Sequence, residues 1–193
     1  MEGSKQKRVI GIVGSPRRNG NTEILVDEVL AGAEEAGAQT KKITLNDLNI
    51  APCQACNACL KTGECVQQDD MAKLLEKMES SQVWVFGTPI YWWGPTAQFK
   101  AFIDRWYGVK KTVFRGRRVI LVIPLGGGDP YYARHTVGMF EDILPYQGME
   151  HFATILALGV GSRGEVRGHT NVLAKARRIG REAISGTIHS KKI

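Results

Sequence analysis

The sequence predicts an α/β protein, a doubly wound parallel sheet of five strands with helices on both faces. Three observations predict it. Short apolar runs rich in β-branched residues alternate with longer stretches whose apolar residues recur at helical spacing. The alternation repeats in five β/α units, and such units close onto one sheet by right-handed crossovers between parallel strands. The chain has 193 residues, 43% hydrophobic and 23% charged, which is the balance of one ordinary globular domain with a sizeable core.

Arg8 to Gly14 is a β-branched apolar run stopped by glycine, a strand buried on both faces. From Thr22 to Ala36, Ile24, Leu25, Val29 and Ala33 fall on one helical stripe, and Gly37 ends it. The following units are a strand at Gln39–Leu45 with a helix at Met71–Met78, and a strand at Gln82–Gly87 with a helix at Thr96–Tyr107. Next come a strand at Arg117–Pro124, a helix from about Tyr131 to Leu144, a strand near Glu150–Leu158 and a helix from about Val166 to Ile184. No internal linker interrupts the series, so residues 1–193 read as one domain. Only the tails before Lys7 and after Ser185 are expected to be loose.

No apolar run approaches the length of a membrane span, and Met1 to Arg8 is polar and basic, so a cytoplasmic protein without membrane attachment is expected. The net charge of +7 is spread out. Its densest patches are Lys110, Lys111, Arg115, Arg117 and Arg118, and Lys175, Arg177, Arg178 and Arg181. Aromatic platforms are not interleaved with them, which favours solvated faces over a nucleic-acid site.

In open parallel sheets, ligands bind beyond the carboxyl ends of the strands where the strand order reverses. That directs attention to four loops: 14–22, 46–70, 88–96 and 125–131. The first, Gly14-Ser-Pro-Arg-Arg-Asn-Gly-Asn-Thr22, joins a strand to a helix N-terminus, where backbone N–H groups and the helix dipole favour an anion. Ser15, Arg17, Asn19, Asn21 and Thr22 are the candidate ligands. A monoester phosphate suits this loop, because the Gly-x-Gly-x-x-Gly of dinucleotide folds and the Gly-Lys-Ser/Thr of triphosphate loops are both missing. The bland alternative is a polar turn with a helix cap at Asn21 or Thr22.

Gly87-Thr-Pro-Ile-Tyr-Trp-Trp-Gly-Pro95 sets three aromatics between two prolines after the third strand, a rigid platform for a planar ring. Thr88, Pro89, Ile90, Tyr91 and Trp92 are its candidate contacts. Gly126 and Gly127, in Leu125-Gly-Gly-Gly-Asp-Pro130, let a backbone approach a flat ligand closely, although a plain flexible turn fits them equally.

These segments resemble the NADPH-dependent FMN reductase branch of the flavodoxin-like proteins, through Gly14-Ser-Pro-Arg17, Gly20-Asn-Thr22, Thr88-Pro-Ile-Tyr91 and the helix 95–105. The resemblance implies the flavodoxin-like strand order 2-1-3-4-5. It also implies FMN phosphate on the first loop, with the isoalloxazine and ribityl parts against Thr88 to Trp92.

All four cysteines fall within 53–65, as Cys53-x2-Cys56-x2-Cys59-x5-Cys65. Three thiols at intervals of three resemble iron–sulfur ligand runs, with no second cysteine group to share ligands. The last interval is longer than in the bacterial ferredoxin run, and Val66 stands where that run has proline. Structural zinc and four redox-inert cysteines are the alternatives. The motif also resembles that of the iron–sulfur flavoproteins, inserted at about 51–66 after the second strand. That resemblance implies a [4Fe-4S] cluster on Cys53, Cys56, Cys59 and Cys65, reduced ferredoxin as donor and an oligomer, a homodimer or homotetramer.

The expected function is therefore an FMN-dependent electron-transfer oxidoreductase, linked to ferredoxin or NAD(P)H, that passes electrons to a small-molecule acceptor such as oxygen, peroxide or a quinone. A cluster-free NAD(P)H-dependent FMN or quinone reductase and a cofactor-free scaffold are the other readings. No catalytic side chain is expected, since His135, His151, His169 and His189 share no loop.

Overall fold

Strands β1 (Arg8–Val13), β2 (Gln39–Thr44), β3 (Val83–Gly87), β4 (Arg118–Pro124) and β5 (Glu150–Ala157) form one parallel sheet in the order β2-β1-β3-β4-β5. The expected fold class and strand order are those observed. The structure, a computed structural model, describes residues 6–186. The expected loose tails, apart from Gln6 and Gly186, and His189 lie outside the described residues.

The helices are α1 (Asn21–Glu35), α2 (Ala58–Thr62), α3 (Met71–Glu79), α4 (Ala97–Asp104), α5 (Arg134–Tyr146) and α6 (Thr170–Ser185). Because side chains alternate along a strand, each central strand feeds two cores. Val9, Val13, Val83, Val85, Ile120 and Val122 pack against Leu25 and Val29 of α1 and Ala176 and Ile179 of α6. Ile10, Ile12, Trp84, Phe86, Val119 and Leu121 pack on the other face against α3, α4 and α5, through Leu74, Phe99, Phe102 and Phe140.

Three helix ends differ from expectation, each for a local reason. The third expected helix, α4, stops at Asp104 and tightens into a 3₁₀ turn over Arg105–Gly108. The fourth, α5, begins only after a 3₁₀ turn at Pro130–Ala133, where the Asp129 carboxylate accepts the Tyr131 N–H at 2.8 Å. The fifth, α6, is preceded by a 3₁₀ turn at Glu165–Gly168 and starts at Thr170. The cysteine stretch, expected as loop, carries α2.

Helices α1 and α6 cross at backbone contact. A Cβ at Gly32 would lie 1.9 Å from the Arg177 carbonyl oxygen, and one at Gly180 would lie 2.0 Å from that of Val29. Gly180→Ala is expected to destabilise the protein by about 3 kcal/mol through overpacking. Gly138→Ala, where an added Cβ meets nothing within 4 Å in α5, should stabilise by about 0.5–1 kcal/mol. Urea unfolding of the two variants beside the parent checks both.

Candidate functional site at the strand-order reversal

The chain leaves β1 for β2 on one side and returns to β3 on the other, so the switch point lies between β1 and β3. There the Gly14 N–H donates to the Gly87 carbonyl at 2.7 Å. The Gly14 carbonyl accepts the Thr96 hydroxyl at 2.7 Å, and the Thr96 N–H donates to Thr88 Oγ1 at 3.1 Å. Thr96 also caps α4, its hydroxyl accepting the Phe99 N–H at 3.3 Å. Glycine is required at position 14, since a Cβ would stand 2.4 Å from the Phe99 ring.

Above this junction opens a cleft of about 170 Å³. Ser15, Arg17, Asn21 and Thr22 of the first loop, Pro89, Ile90 and Tyr91 of the third, and Gly126 of the fourth line it together. Of the residues expected from sequence, Asn19, Thr88, Trp92 and Gly127 do not line it. Thr88 is buried below it, with its hydroxyl engaged by Thr96. Gly127 is packed against Tyr132, whose ring carbon would be 2.5 Å from an added Cβ. Trp92 is 91% exposed on a turn in which it and Trp93 have φ of 48° and 62°.

Gly20 is the N-cap of α1 in place of Asn21 or Thr22, and it brings no side-chain oxygen to the helix end. The first N–H groups of α1 therefore face the cleft end without a side-chain cap of their own, which is the arrangement that favours an anion. The Asn21 side chain is used otherwise: its Nδ2 donates to the Val160 and Ser162 carbonyls at 3.0 and 2.8 Å, and its Oδ1 accepts the Val166 N–H at 3.1 Å. Asn21 thus offers an anion its backbone rather than its side chain. Arg17 donates to the Gly161 carbonyl at 3.0 Å, and Arg18 pairs with Asp47. Asn19 stands at φ 53°, its N–H donating to Glu23 Oε2 at 2.6 Å.

Pro124, Leu125, Val160 and Gly161 complete the cleft; none was singled out as a contact from sequence, although Leu125 opens the expected 125–131 loop. The last two belong to the loop after β5, whose Gly159-Val-Gly-Ser-Arg-Gly164 was a readable glycine signal. No histidine lines the cleft: His135 is exposed on α5, and His151 pairs its Nε2 with Thr154 Oγ1 at 2.8 Å while burial pushes its pKa down. The arginines of α6 are engaged in ion pairs, Arg177 with Glu28 and Glu35, Arg181 with Glu35 and Arg178 with Glu182.

All four cysteines line a second, smaller hollow of about 20 Å³, closed by Arg105, Tyr107 and Gly108. The thiols are free. Ala55 and Asn57 take left-handed φ of 52° and 59°, so the chain doubles back between successive cysteines. A Cβ at Gly108 would stand 3.1 Å from Cys59 Cβ and 3.4 Å from its Sγ. Arg105 Nη2 lies 3.3 Å from Cys65 Sγ and pairs with Asp69. Burial raises the Asp69 carboxyl's pKa, but the Arg105 hydrogen bonds and the N–H groups of Met71 and Ala51 outweigh it and hold it below the ordinary value. Among the described residues no group of three or more His, Cys, Asp or Glu is arranged to hold a single metal ion. A cubane takes one thiolate on each of its irons and asks for four sulfurs around one space, which is the donor set lining this hollow.

The family model for NADPH-dependent FMN reductases matches residues 7–187. The chain belongs to the NADPH-dependent FMN reductase family. Membership makes it a flavin-dependent oxidoreductase. An iron–sulfur flavoprotein of Archaeoglobus fulgidus is 33% identical over 155 residues, 79% of this chain and 69% of that protein. Another, from Methanosarcina thermophila, is 29% identical over 181 residues, covering 93% of this chain and 91% of its own. A third, from Methanocaldococcus jannaschii, is 43% identical over 98 residues, about half of either chain. Among solved structures, an NAD(P)H:quinone oxidoreductase from Methanothermobacter marburgensis superposes with a TM-score of 0.71 at 18% identity, over 92% of this chain and 97% of its own. Among the described residues no helix is long and apolar enough to cross a membrane.

Glu23 braces the first loop, its carboxylate holding Lys42 at 2.8 Å as well as the Asn19 N–H. Burial raises its pKa, but the Lys42 and Asn19 hydrogen bonds outweigh burial and leave it below the ordinary 4.5. A lowered folded-state pKa contributes stability that is present above the unfolded value and lost as pH falls through the folded one. Glu23→Gln should cost about 1 kcal/mol at pH 7, and the gap from the parent should close below pH 4.5. Thermal unfolding of both proteins as a function of pH checks this.

Proposed function

We propose that the cleft binds FMN, with its phosphate on the N-terminus of α1 and its ring system against Pro89 to Tyr91. We infer further that Cys53, Cys56, Cys59 and Cys65 hold one [4Fe-4S] cluster. The protein is then a cytoplasmic iron–sulfur flavoprotein that moves electrons from ferredoxin or NAD(P)H to a small-molecule acceptor, as a homodimer or homotetramer. The observation that carries the reading is the gathering of all four thiols around one hollow in a chain whose α1 opens, without a side-chain cap, into a separate cleft. The names of the relatives in Archaeoglobus, Methanosarcina and Methanocaldococcus support it.

When bound, FMN supplies carriage of electrons singly or in pairs, and the cluster supplies single-electron carriage. The chain's own residues bind and orient. Backbone N–H groups of the first turn of α1, with Ser15 and Thr22, meet the phosphate, and Arg17 adds charge at the mouth. Pro89, Ile90 and Tyr91 give the ring a surface set by the buried Thr88–Thr96 junction, and Gly126 adds lining backbone without a side chain. No Asp, Glu, His or Lys is among the cleft-lining residues, so the lining contains no carboxylate, imidazole or amine to take up a proton.

A cluster-free NAD(P)H-dependent reductase is the second reading, favoured by the nicotinamide donor named in the family that matches residues 7–187. Iron and sulfide analysis separates the two. Anaerobically purified or reconstituted protein should carry about four irons and four sulfides per chain with broad visible absorption over the flavin bands. Cys56→Ser should lose the iron and keep the flavin. Flavin without iron in the parent would sink the cluster and leave the second reading. Arg17→Ala combined with Thr22→Ala should weaken FMN binding at least tenfold in a fluorescence titration, and an unchanged Kd would overturn the phosphate assignment.

A further inference from the structure

Arg105 and Asp69 form an ion pair almost out of water, with side chains 1% and 6% exposed. Burying a charge is costly, and in proteins generally a well-packed apolar replacement of a buried pair is often as stable. The hydrogen bonds show what this pair does instead. Arg105 Nη1 donates to Asp69 Oδ2 at 2.5 Å and to the Ala51 carbonyl at 2.9 Å. Nη2 donates to Asp69 Oδ1 and to Cys65 Sγ, both at 3.3 Å. Asp69 in turn accepts the N–H groups of Ala51 and Met71, each at 3.1 Å. The pair joins the residue that enters the cysteine stretch to those that leave it, and it points a cation at the fourth sulfur.

Hydrogen bonds to the sulfurs and local net charge are two of the levers that set an iron–sulfur reduction potential. We propose that Arg105 is a positioning residue for the cluster that sets its potential through Cys65, with Asp69 offsetting part of the guanidinium charge. The inference rests on the cluster reading above. An N–H bond and a positive charge at a ligand sulfur favour the more electron-rich state of the cluster. Asp69 works in the opposite sense.

The two partners therefore carry opposite signs, which a purely structural clamp does not. In anaerobic redox titrations followed by EPR, Arg105→Gln should move the cluster midpoint to more negative values. At the parent's midpoint its reduced-to-oxidised ratio should fall about tenfold. Arg105→Lys keeps the charge without the planar fork and should lie between that variant and the parent. Asp69→Asn, which leaves the guanidinium unbalanced, should move the midpoint to more positive values. Shifts of the same sign in the Gln and Asn variants, or no shift in either, would overturn the proposal. Iron and sulfide content of the parent comes first: a parent without iron defeats the cluster reading, whereas an iron-loaded parent with unmoved variants defeats only the role of Arg105. If circular dichroism shows that the variants do not fold, the parent still decides. Grown with guanidino-15N arginine and reduced, its cluster should show a 15N hyperfine coupling in pulsed EPR, and the lack of one would overturn the proposal.

Discussion

The site depends on a backbone junction between the ends of β1 and β3. Gly14 bonds to Gly87, the Thr96 hydroxyl closes onto the Gly14 carbonyl, and the Thr96 N–H closes onto the Thr88 hydroxyl. Buried hydroxyls and amides in this number are tolerated because each has a partner. The junction also sits on the aromatic core, since Gly14 is in contact with Phe99, whose ring meets Phe86 edge-on at 5.7 Å. A loop on the surface thereby inherits the position of a close-packed interior. Both loops that flank the cleft start from this one point, so neither shifts without disturbing the other.

The strands and the loops at their ends were legible because their signals are local. A β-branched run ended by glycine and a helical stripe are each contained within a short window, and the switch-point rule then names the loops. What was not legible depends on residues far apart in the chain. Asn21 reads as a phosphate donor or a helix cap, yet its amide is bound to carbonyls of Val160 and Ser162, over 130 positions away. Thr88 reads as a ring contact and is instead a buried brace. Arg105 reads as one more polar residue on a helix, and nothing in its neighbours reveals that it faces Asp69 and Cys65.

The two hollows are built on different principles. The cleft presents polarised backbone and glycine, with a helix N-terminus and Arg17 among its lining as sources of positive potential. The cysteine hollow presents side-chain sulfur, with a buried guanidinium as the nearby cation. The net charge of +7 is mostly separate from both. On α6 it is paired with Glu28 and Glu35 of α1, where it helps to hold two helices whose glycines already bring their backbones together. Lys110 and Lys111 are exposed, the latter lying 4.0 Å from the centre of the Tyr146 ring.

Backbone strain follows the same division of labour. Among the described residues the non-glycine positions with positive φ are Asn19, Ala55, Asn57, Trp92 and Trp93. All lie in the first loop, the cysteine stretch or the turn after β3, and none in the frame that carries them. Asparagine adopts this region at small cost, but for alanine or tryptophan it costs on the order of 1–2 kcal/mol. Such conformations persist only where the surroundings fix them. The tryptophans are fixed by the Tyr91–Gly94 pair, bonded both ways at 2.9 and 3.0 Å, and by the Thr136 hydroxyl on the Trp93 carbonyl at 3.1 Å. Ala55 and Asn57 lie in an exposed stretch with little core beneath them, and its two ends are held together by Arg105 and Asp69. The buried Arg105–Asp69 pair thus ties together the two ends of the stretch that carries these left-handed conformations.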